Sequence, residues 1–263
     1  MGKVRDEDIR IASEAFHRDG YATIRGAVAD SILDEMQLHI DARLDALGGK
    51  EIDDLGPDRF TDRTDPFLVR IAADEGLLDI AQPFVGPDIA LFSYGYILKS
   101  PNDPQPVLWH QDASYWPLVP MRGVTVYVSI SSSTPDNGCL RMIPGSHTME
   151  AQPLVRRDDI KNFLHSSIDE SLVDEARAVD VLLEPGDVSI HHTNIIHGSN
   201  ANMGDNWRLS FVINYISTQA HIMRQGWPAY LLRGVAVSGI NEYRAFPKFV
   251  DGVHMPFRGY EAW

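Results

Sequence analysis

The chain has 263 residues, of which 44% are hydrophobic and 23% charged, a composition typical of a globular protein with a sizeable core. Its formal net charge of −14, from 23 basic and 37 acidic residues, argues against nucleic acid or an anionic membrane as a partner, because both require clustered Lys and Arg. A single Cys139 excludes an internal disulfide. With no secretory signal at the start and no long apolar run, we expect a cytoplasmic protein that contacts no membrane.

The first third of the chain predicts a layer of helices. Apolar residues recur there at helical spacing, and Gly or Pro follows most of these stretches. The predicted elements are a helix over residues 6–19, a strand over 21–24, a helix capped by Asp30 or Ser31, a polar loop over 50–66 and a short helix over 77–84, ended by Pro83 and by Gly86-Pro87.

A series of short strands is predicted from residue 89 onwards, where aromatic and β-branched residues become frequent. The predicted strands cover residues 89–99, a segment ending near His110, 124–129, 139–143, 179–183, 188–192 and 208–216. Turns rather than long helices separate them, which favours a sandwich or barrel over a parallel α/β sheet. No repeat or linker interrupts the chain, so we expect a single domain over residues 1–263.

The sequence WHQD at residues 109–112 predicts a metal site. Residues two apart on a strand project to the same face, so His110 and Asp112 can share one cation. A third ligand must come from far along the chain, and His197 is the best candidate. Two histidines and one carboxylate on one face of an ion form the facial triad of non-haem Fe(II) oxygenases. His191 and His192 are rival ligands.

Three motifs, taken together, resemble one protein family. They are WHQD at 109–112, NGCLRMIPGSH at 137–147, and HGS at 197–199 followed by Arg208. Over roughly residues 10–240 the chain is similar to the phytanoyl-CoA dioxygenase family. The resemblance implies a mainly β fold, a cupin-like double-stranded β-helix (jelly roll) with an N-terminal helical layer. It also implies Fe(II), 2-oxoglutarate and O₂ as cofactor and co-substrates, with His110, Asp112 and His197 as the iron ligands and catalytic centre.

The resemblance further implies a site for 2-oxoglutarate. Arg208 matches the family position that binds the distal carboxylate, and its planar fork suits that group. Ser199 matches a hydroxyl donor to the same carboxylate, and Tyr127 matches an aromatic residue that lines this pocket. His192 resembles a residue that orients a neighbouring ligand. Further candidates near the substrate are Lys99, Gln111, Tyr115, Trp116, Met121 and Arg141, whereas His147 and Cys139 are expected to be structural.

The implied reaction is hydroxylation of an unactivated C–H bond in a small-molecule metabolite, with release of succinate and CO₂. Desaturation, cyclisation and epoxidation at the same site are alternatives. The family's halogenase pattern places Ala or Gly where this chain has Asp112, and a non-catalytic cupin-like metal-binding protein has no need of Arg208. The absence of an obvious basic patch disfavours an acyl-CoA substrate.

Overall fold

A computed structural model of the chain describes residues 4–48 and 64–263, so most of the predicted loop over 50–66 lies outside the described residues. The helices within these ranges are α1 (Asp6–Asp19), α2 (Asp30–Asp45), α3 (Pro66–Ala72) and α4 (Glu75–Val85). The strands are β1 (Tyr21–Ile24), β2 (Ile89–Lys99), β3 (Val107–His110), β4 (Leu118–Val119), β5 (Gly123–Ser129), β6 (Leu140–Met142), β7 (Val155–Arg156), β8 (Ser166–Ser167), β9 (Val179–Val181), β10 (Val188–His192), β11 (His197–Ser199), β12 (Arg208–Ser217), β13 (His221–Ile222) and β14 (Tyr230–Arg233). None of the described helices combines the length and the apolar character that crossing a membrane requires.

Two antiparallel sheets form the β core. The larger sheet has six strands in the order β1-β10-β5-β12-β2-β14, and the smaller has four in the order β3-β11-β6-β9. Residues of β5 in the larger sheet pack against residues of β6 and β9 in the smaller one. Two short pairs, β4 with β13 and β7 with β8, complete the pairing. The predicted strands and the mainly β architecture are confirmed.

Strand alternation gives the larger sheet two different faces. Along β5, Val124, Val126 and Val128 belong to the main apolar core, whereas Thr125 and Tyr127 point to the opposite face, toward the smaller sheet. Burying each such apolar side chain contributes about 1.5–3 kcal/mol. The helices supply the other half of that core with their buried residues, including Phe16, Met36, Ile40, Phe67 and Leu78. The helical layer therefore covers one face of the sheet and leaves the other for a site.

Helix α3 was not predicted, and its first residues lie at the end of the predicted loop. Asp65 is its N-cap, because the carboxylate accepts a hydrogen bond from the backbone N–H of Phe67 at 2.9 Å. Pro66 occupies the first helical position, where its missing N–H is no loss. The Asp-Pro step that was interpreted as part of a loop is therefore the start signal of this helix.

Two other helix boundaries also differ from the prediction. The N-cap of α2 is Ala29, which makes no side-chain cap hydrogen bond, and Asp30 is already helical. Helix α4 starts at Glu75, two residues before the predicted start, and continues through Pro83. It ends before Gly86, as the Gly86-Pro87 step predicts, and the φ of +91° at Gly86 lies in the left-handed region that favours glycine. Pro83 lies near the end of the helix, where it interrupts the hydrogen-bond pattern only locally.

Candidate active site

A cavity of about 180 Å³ lies between the inner faces of the two sheets. Strands β3, β6 and β11 form one wall, and β2, β5, β10 and β12 form the other. Phe163 and Leu164, from the segment between β7 and β8, contribute further apolar surface. The lining residues are Ile97, Val107, His110, Asp112, Thr125, Tyr127, Leu140, Phe163, Leu164, His191, His197, Gly198, Ser199, Arg208, Val212 and Asn214.

Three side chains in this lining could hold a metal ion together. His110, Asp112 and His197 each offer one ligand atom, and these atoms lie within 4.8 Å of one another. His110 ends β3 and His197 begins β11, and the two residues are partners across the strand pair. Both Nε2 atoms lie 3.8 Å from Oδ1 of Asp112. Within residues 4–48 and 64–263 no other cluster of three His, Cys, Asp or Glu side chains could hold an ion.

The two imidazoles are oriented by backbone carbonyls. Nδ1 of His110 donates to the carbonyl of Leu108 at 2.8 Å, and Nδ1 of His197 donates to that of Ile195 at 3.0 Å. Each ring therefore keeps its Nε2 lone pair for a metal. Burial is the main cause that lowers the pKa of both imidazoles, which favours the neutral rings that metal binding requires.

Asp112 reaches the histidines from a turn, not from the strand that the sequence predicted. Strand β3 ends at His110, and Asp112 begins a short 3-10 helix. The N–H of Ala113 donates to the carbonyl of Thr193 at 2.9 Å, which accounts for the change of direction. Burial alone would raise the pKa of the Asp112 carboxyl, but the neighbouring histidines His197 and His191 outweigh it and hold that pKa below its ordinary value.

The HGS motif contains a glycine because two strands approach closely there. A Cβ atom on Gly198 would lie 2.7 Å from the carbonyl oxygen of Val107. Any larger residue would push β11 away from β3 and separate His197 from His110. Gly198 therefore permits the pairing that brings the two histidines together.

Arg208, Ser199 and Tyr127 also line this cavity, and each has a buried polar atom without a hydrogen-bond partner in the described chain. The unpartnered atoms are Nε and Nη2 of Arg208, Oγ of Ser199 and the hydroxyl of Tyr127. The Arg208 side chain is 1% exposed, and its Cζ lies 5.9 Å from the Tyr127 ring centre. A buried guanidinium without a counter-ion is unfavourable. These residues fit a carboxylate ligand, which would bind both nitrogens and the hydroxyls.

Lys99 lies beside Arg208, as its partner on strand β2. The side chain is fully buried, and its ammonium nitrogen donates to the carbonyl of Asn200. Burial, and then the charge of Arg208, lowers the pKa of Lys99 to about 6. Lys99 is thus next to the candidate carboxylate site but is not among the residues that line the cavity.

The other residues predicted near the substrate also lie outside the cavity lining. Gln111 is fully buried: its amide donates to the carbonyl of Asn194 at 2.7 Å and accepts from the N–H of Gln152 at 2.8 Å. Its side chain therefore fixes two loops. Trp116 packs 5.3 Å from Phe92 in a separate apolar cluster, which Met121 also joins.

Arg141 and Tyr115 are closer to the site without lining it. Nε of Arg141 lies 3.3 Å from the carboxylate of Asp180, and its guanidinium stacks over the ring of Trp109. The Tyr115 ring lies 5.9 Å from that of His110, and its hydroxyl is 2.7 Å from Oγ of Ser166. Tyr115 lies outside the lining because the chain turns at Asp112, and Arg141 because its guanidinium is directed to Asp180 and Trp109. Contact of either residue with a substrate stays a prediction.

The third histidine of the cavity is His191, not His192. Alternation along β10 points His191 to the cavity and His192 to the opposite face, where it contacts Phe16 of α1 and accepts the N–H of Asn194. Burial lowers the pKa of His192 to about 4. The prediction that His192 orients a ligand is therefore wrong. Thr125 and Asn214 were missed as cavity residues, and His191 was considered only as a rival ligand. The alternation along their strands places all three on the face opposite the apolar core residues.

The comparison with protein families decides the identity of this fold. The model of the phytanoyl-CoA dioxygenase (PhyH) family matches residues 16–210. The chain belongs to the phytanoyl-CoA dioxygenase family. This match confirms the resemblance that the three sequence motifs indicated.

Two curated relatives carry different dioxygenase names. Over 162 residues the chain is 30% identical to a "probable alpha-ketoglutarate-dependent hypophosphite dioxygenase" of Stutzerimonas stutzeri, covering 60% of this chain and 54% of the relative. Over 153 residues it is 29% identical to the ectoine dioxygenase of Sphingopyxis alaskensis, covering 52% of this chain and 50% of that one. The chain spans about half the length of the curated relatives it matches.

A solved structure agrees over a larger part of the chain. The apo form of the non-haem monooxygenase ThoJ superimposes with a TM-score of 0.74 at 26% identity, covering 90% of this chain and 88% of that one. The predicted jelly-roll fold with N-terminal helices is therefore confirmed.

Proposed function

We propose that this protein is an Fe(II)- and 2-oxoglutarate-dependent oxygenase that oxidises a small molecule. One observation carries the proposal: a single cavity holds a triad of two histidines and a carboxylate together with the buried, unpartnered guanidinium of Arg208. A molecule with a metal-chelating 2-oxoacid group and a second carboxylate satisfies both. Membership of the phytanoyl-CoA dioxygenase family supports the same cofactor and co-substrate.

In this proposal His110, Asp112 and His197 bind iron and leave the opposite face of the ion open. Iron and 2-oxoglutarate, when bound, supply the activation of O₂, with decarboxylation of 2-oxoglutarate to succinate and CO₂. The fixed Nδ1 hydrogen bonds of the two histidines keep their Nε2 atoms aimed at the ion. The protein's contribution there is a pre-oriented set of ligands.

Arg208 and Ser199 bind the distal carboxylate of 2-oxoglutarate. Two guanidinium nitrogens and one hydroxyl lack partners, so these donors can be satisfied without breaking an existing bond. The hydroxyl of Tyr127 is a further donor beside them. Apolar side chains of the lining, including Ile97, Val107, Leu140 and Val212, exclude water from the co-substrate.

The substrate is proposed to be a small molecule without a large negative charge. Arg208 is the one Lys or Arg side chain among the described residues that line the cavity, and it is assigned to 2-oxoglutarate. A CoA thioester would leave its phosphates without a cation there. Hydroxylation of a C–H bond is the proposed outcome, with desaturation, cyclisation and epoxidation as alternatives. We also propose that the protein is cytoplasmic and that residues 1–263 form one domain.

The test has two stages. 2-Oxoglutarate is titrated anaerobically into the Fe(II) protein, and the charge-transfer absorption of the chelated 2-oxoacid is followed. Oxygen consumption and succinate formation are then measured against a panel of metabolites, with product masses. Absence of the absorption would refute the co-substrate. Chelation without any succinate formation would instead favour a non-catalytic metal-binding protein.

A further inference from the structure

The two oxygens of the Asp112 carboxylate have separate surroundings. Oδ1 lies 3.8 Å from Nε2 of both His110 and His197. Oδ2 accepts a hydrogen bond from Oγ1 of Thr125 at 2.5 Å and lies 3.5 Å from Nε2 of His191. One oxygen therefore faces the other candidate ligands, and the second faces the larger sheet.

The residues around Oδ2 form a row across three strands. His191 on β10 is the partner of Thr125 on β5, and Thr125 is the partner of Asn214 on β12. Nδ2 of Asn214 donates to Oγ1 of Thr125 at 3.0 Å. Because this bond uses the hydroxyl oxygen as an acceptor, the hydroxyl proton is directed to Asp112. All three side chains line the cavity.

His191 has no role in the metal triad or in the carboxylate site. It is 2% exposed, and in the described part of the chain neither ring nitrogen has a hydrogen-bond partner. Buried imidazole nitrogens normally have partners. Oδ2 of Asp112 lies 3.5 Å from Nε2, so a small movement of either side chain would make it the acceptor for Nε2–H. His191 is also absent from the group of side chains whose ligand atoms converge.

We propose that Thr125 and His191 are positioning residues that hold Oδ2 of Asp112, so that only Oδ1 is presented to the metal. Asp112 requires this support because it lies on a turn, where no strand pairing fixes its direction. A carboxylate that rotated and bound through both oxygens would occupy part of the open face of the ion. The expected effect on 2-oxoglutarate binding rests on the proposed function. The expected effect on metal binding does not.

The metal alone provides the first test. Co(II) is titrated into the wild-type chain and into His191→Phe, which keeps a ring of similar size but removes both nitrogens. Loss of a residue that orients a ligand typically weakens metal binding by about ten- to a hundred-fold. We expect that loss in His191→Phe, and recovery to within about threefold in His191→Gln, whose amide N–H can replace Nε2–H. Thr125→Val, which removes only the hydroxyl, should weaken Co(II) in the same range.

His192→Phe is the matched control, because it makes the same change at the next residue of β10 on the opposite face. Co(II) affinity within about twofold of wild type in His191→Phe or in Thr125→Val would overturn the inference. An equal loss in His192→Phe would assign the effect to packing. Loss in His191→Phe as complete as in His197→Ala would make His191 a ligand. Each of these outcomes contradicts a positioning role.

The second readout is the binding of 2-oxoglutarate to the Fe(II) protein, measured at saturating iron. If Oδ2 is released and competes for the open face, His191→Phe should show weaker 2-oxoglutarate binding and a shifted charge-transfer band, both restored in His191→Gln. An unchanged band would overturn the claim about coordination. If wild type binds Co(II) but not 2-oxoglutarate, the proposed function fails, and the Co(II) titrations still decide the positioning role.

Discussion

Arg208→Leu is the substitution that tests the co-substrate site most directly. The side chain is 1% exposed, and two of its guanidinium nitrogens have no partner in the described chain, so a bound carboxylate would form both hydrogen bonds away from water. Removing one partner of such a buried charge pair costs about 2–5 kcal/mol, much of it from the charge left behind. The dissociation constant of 2-oxoglutarate should therefore rise by roughly thirty-fold to several thousand-fold.

The same substitution should not destabilise the ligand-free protein. Arg208 is then a buried charge without a counter-ion, so Arg208→Leu should not lower the free energy of unfolding measured in urea. Arg208→Lys should recover only part of the affinity for 2-oxoglutarate, because an ammonium group cannot form the two parallel hydrogen bonds that a planar guanidinium forms. Fe(II) affinity should barely change, because Arg208 is outside the triad.

The assay is the anaerobic titration of 2-oxoglutarate into Fe(II) protein, followed by the charge-transfer absorption. Arg141→Leu is the matched control, because Arg141 pairs with Asp180 outside the cavity lining. It should bind 2-oxoglutarate within about twofold of wild type. The same result for Arg208→Leu would refute the reasoning, and the neighbouring Lys99 would become the candidate anchor.

His197→Ala should abolish turnover, and a titration should show no Fe(II) binding at concentrations that saturate wild type. His192→Phe should leave turnover and Fe(II) binding unchanged. As a metal ligand, Asp112 would occupy the coordination position that chloride needs. Any panel compound that stimulates oxygen consumption should therefore gain oxygen and no chlorine in high chloride, and a chlorinated product in the mass spectrum would contradict this. Lys99→Met should stabilise the ligand-free protein at about pH 7. Burial lowers the pKa of Lys99 from 10.5 to about 6, so between these values the unfolded chain binds one more proton than the folded chain, and wild-type stability rises with pH. The advantage of Lys99→Met should therefore shrink by about pH 9.5, and a constant or growing advantage in urea unfolding would show that Lys99 is not deprotonated on folding.

Local sequence patterns determined most of the secondary structure. The alternation in β2, β5 and β12 and the helical spacing of α1 were sufficient because only one face of each element packs in the main apolar core, and the residue types repeat accordingly. The Asp65-Pro66 step was misinterpreted, since the same two residues are common in turns and at helix starts. The family, too, was determined by motifs and their order.

The convergence of distant residues was only partly determined by the sequence. That His110, Asp112 and His197 meet was expected from residue type and family resemblance; their role as ligands stays a prediction until metal binding is measured. The sequence placed Asp112 on the strand, yet a turn held by the carbonyl of Thr193 brings it into the cavity.

Only the tertiary structure decided which other side chains surround the site. His191 and His192 are adjacent and chemically identical, and the place of β10 in the sheet, between β1 and β5, determines which one faces the cavity. Gln111 lies between His110 and Asp112 in sequence, yet its side chain donates to the carbonyl of Asn194. Trp116 follows the metal motif, yet it packs in a separate apolar cluster. A side chain's neighbours across a sheet are set by strand register, and register depends on the whole buried face rather than on any local motif.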